Sequence, residues 1–433
     1  MFKAVAGYYK DNERLRLLVK IIAVWLISRA VMLLMVPVMN LIADEPHQWL
    51  YYMNPWDAEW YKGIVENGYQ PPKSSGMASW AFFPLYPLVC MAVRLVTMGC
   101  IDTYAVGMTV SNICIIIAVY YAVKYADIEL DMKKYNKKTV EDIIIFLMLA
   151  GPFAVYYGAM YTEALFILCV ILCFYNSARH NYMAAGIAAA MASATRIVGC
   201  MLVFVLITYM FMEACAECRA KHNSKVKDNK EAGIIDKYML TDEAGIMLAG
   251  NISLASVIKT FIKNVIKEPK KLVAIMISPL GIFIYMNYLR YLCGDSWAFY
   301  HVQRAWRTQK MFPVIGVLFK SCTGQLTAAS GVKTLNGIIL GWLCVITLML
   351  YVAMIRKKHY ALGIFGIIVL LIPLTSSVMS TLRFIMGSFV IYIGVAEIIA
   401  GCNRYVRYGI IALLSIVEVV VISAWYFWDG LLM

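Results

Sequence analysis

The chain has 433 residues, of which 62% are hydrophobic and only 15% are charged, whereas soluble domains average roughly 45–50% apolar and about 25% charged residues. The mean hydropathy of +0.71 and the recurrence of apolar runs long enough to cross a bilayer exclude a soluble globular enzyme and indicate a polytopic membrane protein. The net charge of +13 comes from lysines and arginines clustered in short segments between apolar runs. Such clusters set the orientation of membrane proteins, so the charge implies no nucleic-acid partner.

The first apolar run covers residues 17–43 and is too long for the core of a cleavable signal peptide, which has about 7–15 residues. We therefore expect it to be retained as the first transmembrane helix. Four basic residues precede it: Lys3, Lys10, Arg14 and Arg16. Because basic flanks stay in the cytoplasm, the loop that follows residue 43 is expected on the outer face.

Later basic loops serve as fixed points on the cytoplasmic side. These loops are 133–138, 219–271, 356–358 and 404–407. Residues 133–138 stay inside only if segment 81–98, which two prolines and an arginine interrupt, lies along the outer surface as a helix. A break at Thr195-Arg196 likewise keeps its flanking basic segments inside. It also places Arg196 at the outer interface rather than in hydrocarbon, where an arginine costs about 2.5–3.5 kcal/mol or more.

Hydropathy and this parity predict an all-α fold with about eleven transmembrane helices, the N-terminus inside and the C-terminus outside. The predicted spans are 17–43, 103–124, 140–158, 161–178, 183–195, 197–212, 270–291, 333–355, 360–379, 382–401 and 408–428. They divide the chain into an N-terminal membrane module (1–212) with a first outer loop (44–102), a basic cytoplasmic loop (213–269) with an amphipathic helix, and a C-terminal membrane module (270–433) with a second outer loop (292–332).

Unusual polar residues converge on the outer face once this topology is set. The first outer loop carries Trp56, Asp57, Glu59 and Tyr61 in NPWDAEWYKGIVENGY, and Glu163 begins a span in MYTEALF. The second outer loop carries His301, Gln303 and Arg304 in GDSWAFYHVQRAW, Arg196 lies at the broken pair, and Arg383 follows Ser380-Thr381-Leu382. Residues from distant segments that meet at one interface indicate a single site.

Acidic and basic groups at a lipid–water boundary suit a lipid-anchored, negatively charged substrate. A carboxylate such as Asp57 can accept the proton of an attacking hydroxyl, which is general-base catalysis worth about 10²–10⁴-fold. Arginines can hold a phosphate through paired hydrogen bonds and stabilise its charge as it leaves. The neighbouring aromatic side chains can either stack on a sugar or anchor the loop at the headgroup level.

Several segments, in chain order, resemble the PIG-V family, which comprises the second mannosyltransferase of glycosylphosphatidylinositol synthesis and its bacterial relatives. The segments are WDAEWYKGIVENGY, AFFPLYPL, MYTEALF, SATRIVG, SPLGIFIYMNYL, WAFYHVQRAW and STLRF. The resemblance implies a GT-C-type glycosyltransferase that uses a polyprenyl-phosphate sugar, typically dolichyl-phosphate mannose in eukaryotes, and inverts the anomeric carbon. It also implies a bacterial plasma membrane, or the endoplasmic reticulum in a eukaryote, with the active site on the extracytoplasmic face.

By motif, Asp57 falls on the first-loop acid of that family and Arg196 on its Thr-Arg element. Glu163 falls on the Tyr-Ser-Glu element, with Thr162 in place of serine, and Phe384 stands where many relatives have tyrosine. The implied partners are the polyprenyl-phosphate donor, a lipid or glycan acceptor, and membrane lipids. The segments expected to face the acceptor match least well, so the acceptor is left unidentified.

The predicted roles are catalysis for Asp57 and Glu59, donor-phosphate binding for Arg196, Arg383 and Arg304, and substrate binding for Glu163, His301, Gln303, Trp56 and Tyr61. Each residue type also has an ordinary structural role. Acids at helix starts act as caps, interfacial arginines anchor to lipid headgroups, and a lone histidine in a loop helix is commonly structural.

Two other functions are compatible with the sequence. A transporter or flippase of lipid-linked sugars would place charges along a path through the membrane and would show inverted repeats, which this sequence lacks. A structural subunit would leave the outer acids replaceable. The DxE pair of Asp57 and Glu59 permits a divalent cation, but two carboxylates are too few ligands to require one.

Overall fold

The computed structural model describes residues 12–43, 48–231, 253–305, 313–325, 334–375, 378 and 380–427. Within these ranges the chain is helical and contains no strand, so the predicted all-α class is confirmed. Parts of the predicted cytoplasmic loop (213–269) and second outer loop (292–332) lie outside the described residues, as do both ends of the chain.

The described residues before position 232 form nine α-helices. They are α1 (Glu13–Ile42), α2 (Trp49–Met53), α3 (Asp57–Asn67), α4 (Leu85–Val96), α5 (Thr103–Glu129), α6 (Lys137–Leu149), α7 (Glu163–Ala178), α8 (Tyr182–Ser193) and α9 (Leu202–Glu231). Short 3₁₀ helices lie at Ser79–Ala81, Ala154–Tyr157 and Ile197–Met201.

The remaining helices follow residue 252. They are α10 (Leu254–Lys267), α11 (Pro269–Ile277), α12 (Leu280–Cys293), α13 (Ala298–His301), α14 (Val314–Cys322), α15 (Thr334–Arg356), α16 (Tyr360–Leu374), α17 (Thr381–Gly387), α18 (Val390–Gly401) and α19 (Arg404–Tyr426). A 3₁₀ turn at Val302–Ala305 extends α13.

Side-chain caps begin several of the long helices. Asp102 accepts hydrogen bonds from the amides of Tyr104 and Ala105 at the start of α5. Asn12 caps α1 and Asn403 caps α19 in the same way. Each cap satisfies backbone donors that the first helical turn leaves unpaired, which fixes where the helix begins.

Five helices within the described residues are long and apolar enough to cross a membrane, and two bent pairs raise this number to seven. The bent pairs are α11 with α12, at 42°, and α17 with α18, at 71°. Others of the eleven predicted spans correspond to helices of 12 to 16 residues. At 1.5 Å per residue these are shorter than the roughly 20 residues needed for a straight crossing. Hydropathy registers their apolar character, but it cannot register where a helix ends within an apolar run.

Of the two irregularities predicted from parity, the break near Arg196 is present, whereas the position of segment 81–98 along the outer surface stays a prediction. Segment 81–98 contains α4, a helix of only 12 residues, and a break separates α8, which ends at Ser193, from the turn that begins at Ile197. Helix α9 is longer than the predicted span 197–212, because it continues to Glu231. The predicted amphipathic helix is α10.

Helix α7 lies at the centre of the bundle. Almost all of its side chains from Glu163 to Phe174 are buried, and it packs against α5, α8 and α9. A helix that is apolar on every side is stable only when other helices surround it. Its N-terminal end therefore provides a fixed, enclosed position for the first residue, Glu163.

Candidate active site

Four segments of the chain bring charged side chains together at the N-terminal end of α7. Arg383 donates from Nη1 to Oδ2 of Asp57 and from Nε to Oε1 of Glu163, each at 2.5 Å. Arg196 donates from Nη1 to the same Glu163 oxygen at 2.8 Å. The result is a continuous row of alternating charge, Asp57, Arg383, Glu163 and Arg196, in which two guanidinium groups balance two carboxylates.

The four members of this row differ in exposure. The side chain of Glu163 is 1% exposed and that of Arg383 is 10% exposed, whereas that of Asp57 is 26% exposed. A carboxylate as buried as Glu163 needs charged partners to offset its desolvation, and the two arginines are those partners. Asp57 is thus the carboxylate that a substrate can reach.

Tyr161 fixes the position of Asp57. Its hydroxyl donates to the carbonyl of Pro55 at 2.7 Å and accepts the amide of Asp57 at 3.3 Å. Trp56, between those two residues, has a positive φ of 48°, a conformation that non-glycine residues rarely adopt. Tertiary contacts therefore hold this turn in a strained shape immediately before Asp57.

Aromatic rings pack against the charged row. The guanidinium of Arg383 lies 4.9 Å from the ring centroid of Tyr161, within the range of a cation–π interaction. Trp425, near the end of α19, is fully buried and lies 5.4 Å from the rings of both Tyr161 and Trp56. The last described helix, α19, thereby packs against the turn that carries Asp57.

Sequence reasoning missed Tyr161 and Trp425. Tyr161 had a usable signal, since it directly precedes Thr162-Glu163 in the MYTEALF segment. Trp425 had none, because a tryptophan near the end of a span is ordinarily interpreted as an interface anchor.

Arg196 lies in the break between α8 and α9. Its backbone is extended, with φ −153° and ψ 145°, and its guanidinium lies 5.1 Å from the ring centroid of Phe384. Gly199 allows the turn to pack closely, because a Cβ there would lie 2.3 Å from the carbonyl oxygen of Ala192. The glycine of the SATRIVG segment therefore fixes the turn that carries Arg196 to the site.

A cavity of about 320 Å³ opens beside the charged row. Of the residues predicted from the sequence, Trp56, Asp57, Tyr61, Arg196, Gln303 and Arg383 line it. Phe299 and Tyr300 of α13 contribute apolar walls, together with Ile372 and Pro373 of α16. An enclosure with a few convergent charged groups and mostly apolar or aromatic walls is typical of a small-molecule site.

Tyr61 presents a neutral phenol at the back of this cavity. Burial raises the pKa of Tyr61 well above its usual value, and the nearby carboxylates of Asp57 and Glu163 raise it further. The hydroxyl lies 3.5 Å from Oγ1 of Thr162. Tyr61 is therefore available as a hydrogen-bond donor and not as a base.

Four of the predicted residues do not line the cavity. Glu163, predicted to bind substrate, is buried, and its carboxylate pairs with Arg383 and Arg196 instead. The other three are exposed. Glu59 is exposed and accepts a hydrogen bond from the hydroxyl of Tyr104. It lies two residues after Asp57 on α3, and residues with that spacing do not share a helix face.

His301 is exposed and lies 2.6 Å from Oδ2 of Asp295, a hydrogen bond that lowers the pKa of Asp295. Arg304 is exposed too, so the geometry places none of the three beside a substrate in the cavity.

Metal ligands are not grouped in the described part of the chain: no set of three or more His, Cys, Asp or Glu side chains there could hold a metal ion. Glu59 does not join Asp57 as a second ligand, since it turns toward Tyr104.

Solved structures similar to this chain are oligosaccharyltransferases. One is the archaeal oligosaccharyltransferase AglB from Archaeoglobus fulgidus in complex with an inhibitory peptide and a dolichol-phosphate, with 12% identity, a TM-score of 0.45, and coverage of 98% of this chain and 56% of that chain. Another is the Archaeoglobus fulgidus enzyme in complex with Zn and sulfate, with 11% identity, a TM-score of 0.45, and coverage of 94% and 52%. The chain therefore spans about half the length of the solved structures that it matches.

No curated protein sequence matches the chain. A family model does match: the model described as mannosyltransferase (PIG-V) covers residues 13–231, half of the 433 residues. Asp57, Glu163 and Arg196 all fall within the matched range. The resemblance seen in the sequence motifs is thereby confirmed, and the chain belongs to the mannosyltransferase (PIG-V) family.

Proposed function

We propose that the protein is a membrane glycosyltransferase of the GT-C type, which transfers a hexose from a polyprenyl-phosphate sugar to an acceptor hydroxyl on the extracytoplasmic face. Family membership favours mannose as the hexose and a lipid-linked or cell-surface molecule as the acceptor. The observation that carries the proposal is the row of Asp57, Arg383, Glu163 and Arg196 at the wall of the cavity.

Asp57 acts as the general base. Its carboxylate accepts the proton of the acceptor hydroxyl while that oxygen attacks the anomeric carbon. The bond between the anomeric carbon and the phosphate oxygen breaks, and the phosphate leaves with the electron pair. A single displacement of this kind inverts the anomeric configuration.

Arg383 and Arg196 bind the donor phosphate. A guanidinium can form paired hydrogen bonds with phosphate oxygens and stabilise the charge that develops as the phosphate leaves. In the structure Arg383 is engaged by Asp57 and Glu163. An incoming phosphate competes with Asp57 for Arg383, and this competition frees a carboxylate lone pair for the acceptor proton.

The test uses the full chain, purified into lipid nanodiscs and incubated with radiolabelled polyprenyl-phosphate mannose and membrane lipid acceptors. We expect label in a new glycolipid, with transfer by Asp57→Asn protein reduced about 10²-fold or more. Radiolabelled polyprenyl-phosphate glucose in the same assay tests the choice of hexose. Parallel reactions with a chelator test the need for a divalent cation.

A parallel assay in sealed vesicles separates this proposal from a lipid-sugar transporter. A transporter would move labelled donor across the bilayer without forming a new glycosidic bond. Movement of label with no labelled acceptor from any membrane extract would overturn the assignment as an enzyme.

A further inference from the structure

Within the described residues, helix α10 packs against the bundle through one face. Val257 and Val265 on that face are buried, and the ring of Phe261 lies 6.1 Å from that of Phe211 on α9. Asn264 donates to Oε2 of Glu217 at 2.7 Å. These contacts fix the rotation of α10 about its own axis, so the direction of its other faces is defined.

Helix α9 also fixes the position of α10 relative to the candidate active site. The chain enters α9 just after Arg196, and α10 contacts α9 around Glu217. About 20 residues of helix separate these points, which is about 30 Å at 1.5 Å per residue. This distance equals the hydrocarbon thickness of a typical bilayer. Helix α10 therefore lies at the membrane surface opposite to the candidate active site.

Two exposed stripes run side by side along α10. The apolar stripe consists of Leu254, Ile258, Ile262 and Ile266, which are between 42% and 70% exposed. The basic stripe consists of Lys259, Lys263 and Lys267, all exposed, and Lys270 continues it. At 100° per residue the apolar stripe lies between the buried face and the lysines, which is the order expected of a helix that lies on a bilayer surface.

The basic stripe forms no ion pair within the described residues. Residues 254–267 contain no Asp or Glu, and Glu268 pairs with Lys271 at 2.7 Å. Among the described residues, no ion pair within 4 Å involves Lys259, Lys263, Lys267 or Lys270. Their positive charge is left to attract an external anion.

We infer that α10 is a binding surface for anionic phospholipids of the leaflet opposite to the active site. Its isoleucine stripe inserts among the acyl chains, and its lysines contact the headgroup phosphates. Each lysine near an anionic surface increases the affinity about threefold to several-fold, and this contribution falls at high salt. The apolar surface of α11, where Leu272, Val273 and Met276 are exposed, continues the isoleucine stripe into the hydrocarbon.

The test measures binding of phosphatidylglycerol to the full-length protein in detergent by native mass spectrometry, with phosphatidylcholine as the neutral reference. We expect the parent to prefer phosphatidylglycerol and the variant Lys259→Gln/Lys263→Gln to bind it roughly tenfold more weakly. The matched control, Lys133→Gln/Lys134→Gln, removes two exposed charges from loop 133–138, which the sequence also predicts on the cytoplasmic side, and we expect it to keep the preference. An equal loss in both double variants, or no preference in the parent, would overturn the proposal.

The apolar stripe is tested separately, so that charge alone does not decide the outcome. In nanodiscs that contain phosphatidylglycerol, backbone hydrogen exchange of α10 should be slower than in nanodiscs of phosphatidylcholine alone. Ile258→Ser/Ile262→Ser should remove this difference while sugar transfer continues. If hydrogen exchange of α10 is equally slow in both kinds of nanodisc, and an added acidic protein slows it further, the partner is a protein. That result would refute lipid binding.

Discussion

Oε1 of Glu163 lies 2.5 Å from Nε of Arg383 although 220 positions separate the two residues in the chain. This contact joins the central helix α7 to the bent pair formed by α17 and α18. Because the same oxygen also receives Arg196, Glu163 neutralises both candidate phosphate-binding groups. Its role in the proposed reaction is therefore to hold two arginines in place, and Asp57 is left to face the substrate.

Removal of the Glu163 charge should destabilise the protein. Glu163→Gln leaves Arg196 without an ion-pair partner among the described residues and leaves Arg383 with Asp57 alone, and breaking a buried ion pair costs about 3–5 kcal/mol. We expect a clearly lower thermal midpoint in detergent. The control is Glu66→Gln, which weakens a half-exposed pair with Arg94 that is worth about 0–1 kcal/mol. Equal midpoints for the two variants would contradict a stabilising role for Glu163.

Asp57→Asn tests the base. The substitution keeps the size of the side chain and its capacity to accept from Arg383, but it removes the basic lone pair. We expect turnover to fall about 10²-fold or more with little change in the thermal midpoint. Glu59→Gln, two residues away on another face of α3, should retain most of the activity. Near-normal turnover in the Asp57 variant would remove it from the mechanism.

Arginine-to-lysine substitutions test the donor-phosphate site. Arg383 donates to two carboxylates from two different nitrogens, and a single ammonium group cannot reproduce that fork. We expect Arg383→Lys and Arg196→Lys to lose activity and donor affinity, and the alanine variants to lose more. Donor affinity is measured directly with the polyprenyl-phosphate sugar in nanodiscs. Parent-like affinity and turnover in both lysine variants would place the phosphate elsewhere.

His359 should make stability depend on pH. It lies in the turn between α15 and α16, 2.9 Å from Oε1 of Glu129. Burial alone would lower its pKa, but hydrogen bonds to Glu129 and Glu397 outweigh burial and raise the pKa of His359 to about 9.

Between the unfolded value of about 6.5 and 9, the folded protein holds a proton on His359 that the unfolded chain releases. The stabilisation is thus complete below about pH 6.5 and is lost as the pH rises through 9. We expect the thermal midpoint to fall over this window, and His359→Gln protein to show a smaller fall. An identical pH profile in the variant would show that other groups cause the effect.

Accessibility labelling tests the assignment of faces. In a background without the accessible native cysteines, a cysteine at exposed Asn67 should react with a membrane-impermeant reagent added from outside. Cysteines at Lys137 and Lys357 should react only after the membrane is opened. Outside labelling at position 137 would overturn the proposed orientation and the extracytoplasmic face of the site.

The sequence predicted the site residues whose position is marked by a local irregularity. Arg196 interrupts an apolar run and Asp57 is an acidic residue in a loop between apolar runs, so the sequence alone indicates both. Gln303 lines the cavity, but the sequence did not distinguish its neighbours His301 and Arg304 from it. They lie on a short α-helix and 3₁₀ turn, and the direction of a side chain on such irregular backbone depends on tertiary packing.

The positions at which helices end inside apolar runs could not be predicted from the sequence either. Lipid and protein interior are equally apolar, so hydropathy cannot separate a helix that crosses the bilayer from α7 or α8, which are shorter and lie among other helices. The support that Trp425 gives to Trp56 required the packing of α19 against the first outer loop, and no local pattern records such a contact.

The row of alternating charges also constrains the order in which the chain can mature during synthesis. Glu163 can pair with Arg196 as soon as 33 more residues have been made, so its buried charge is compensated early. Asp57 must wait for Arg383, 326 residues later, and at usual elongation rates of about 5–20 residues per second this takes roughly 15–65 s. Throughout that interval the N-terminal half carries Asp57, the proposed base, and Arg196, but not Arg383. The proposed active site is therefore completed only after the segment with Arg383 has been made and α19 has packed against the turn that carries Asp57.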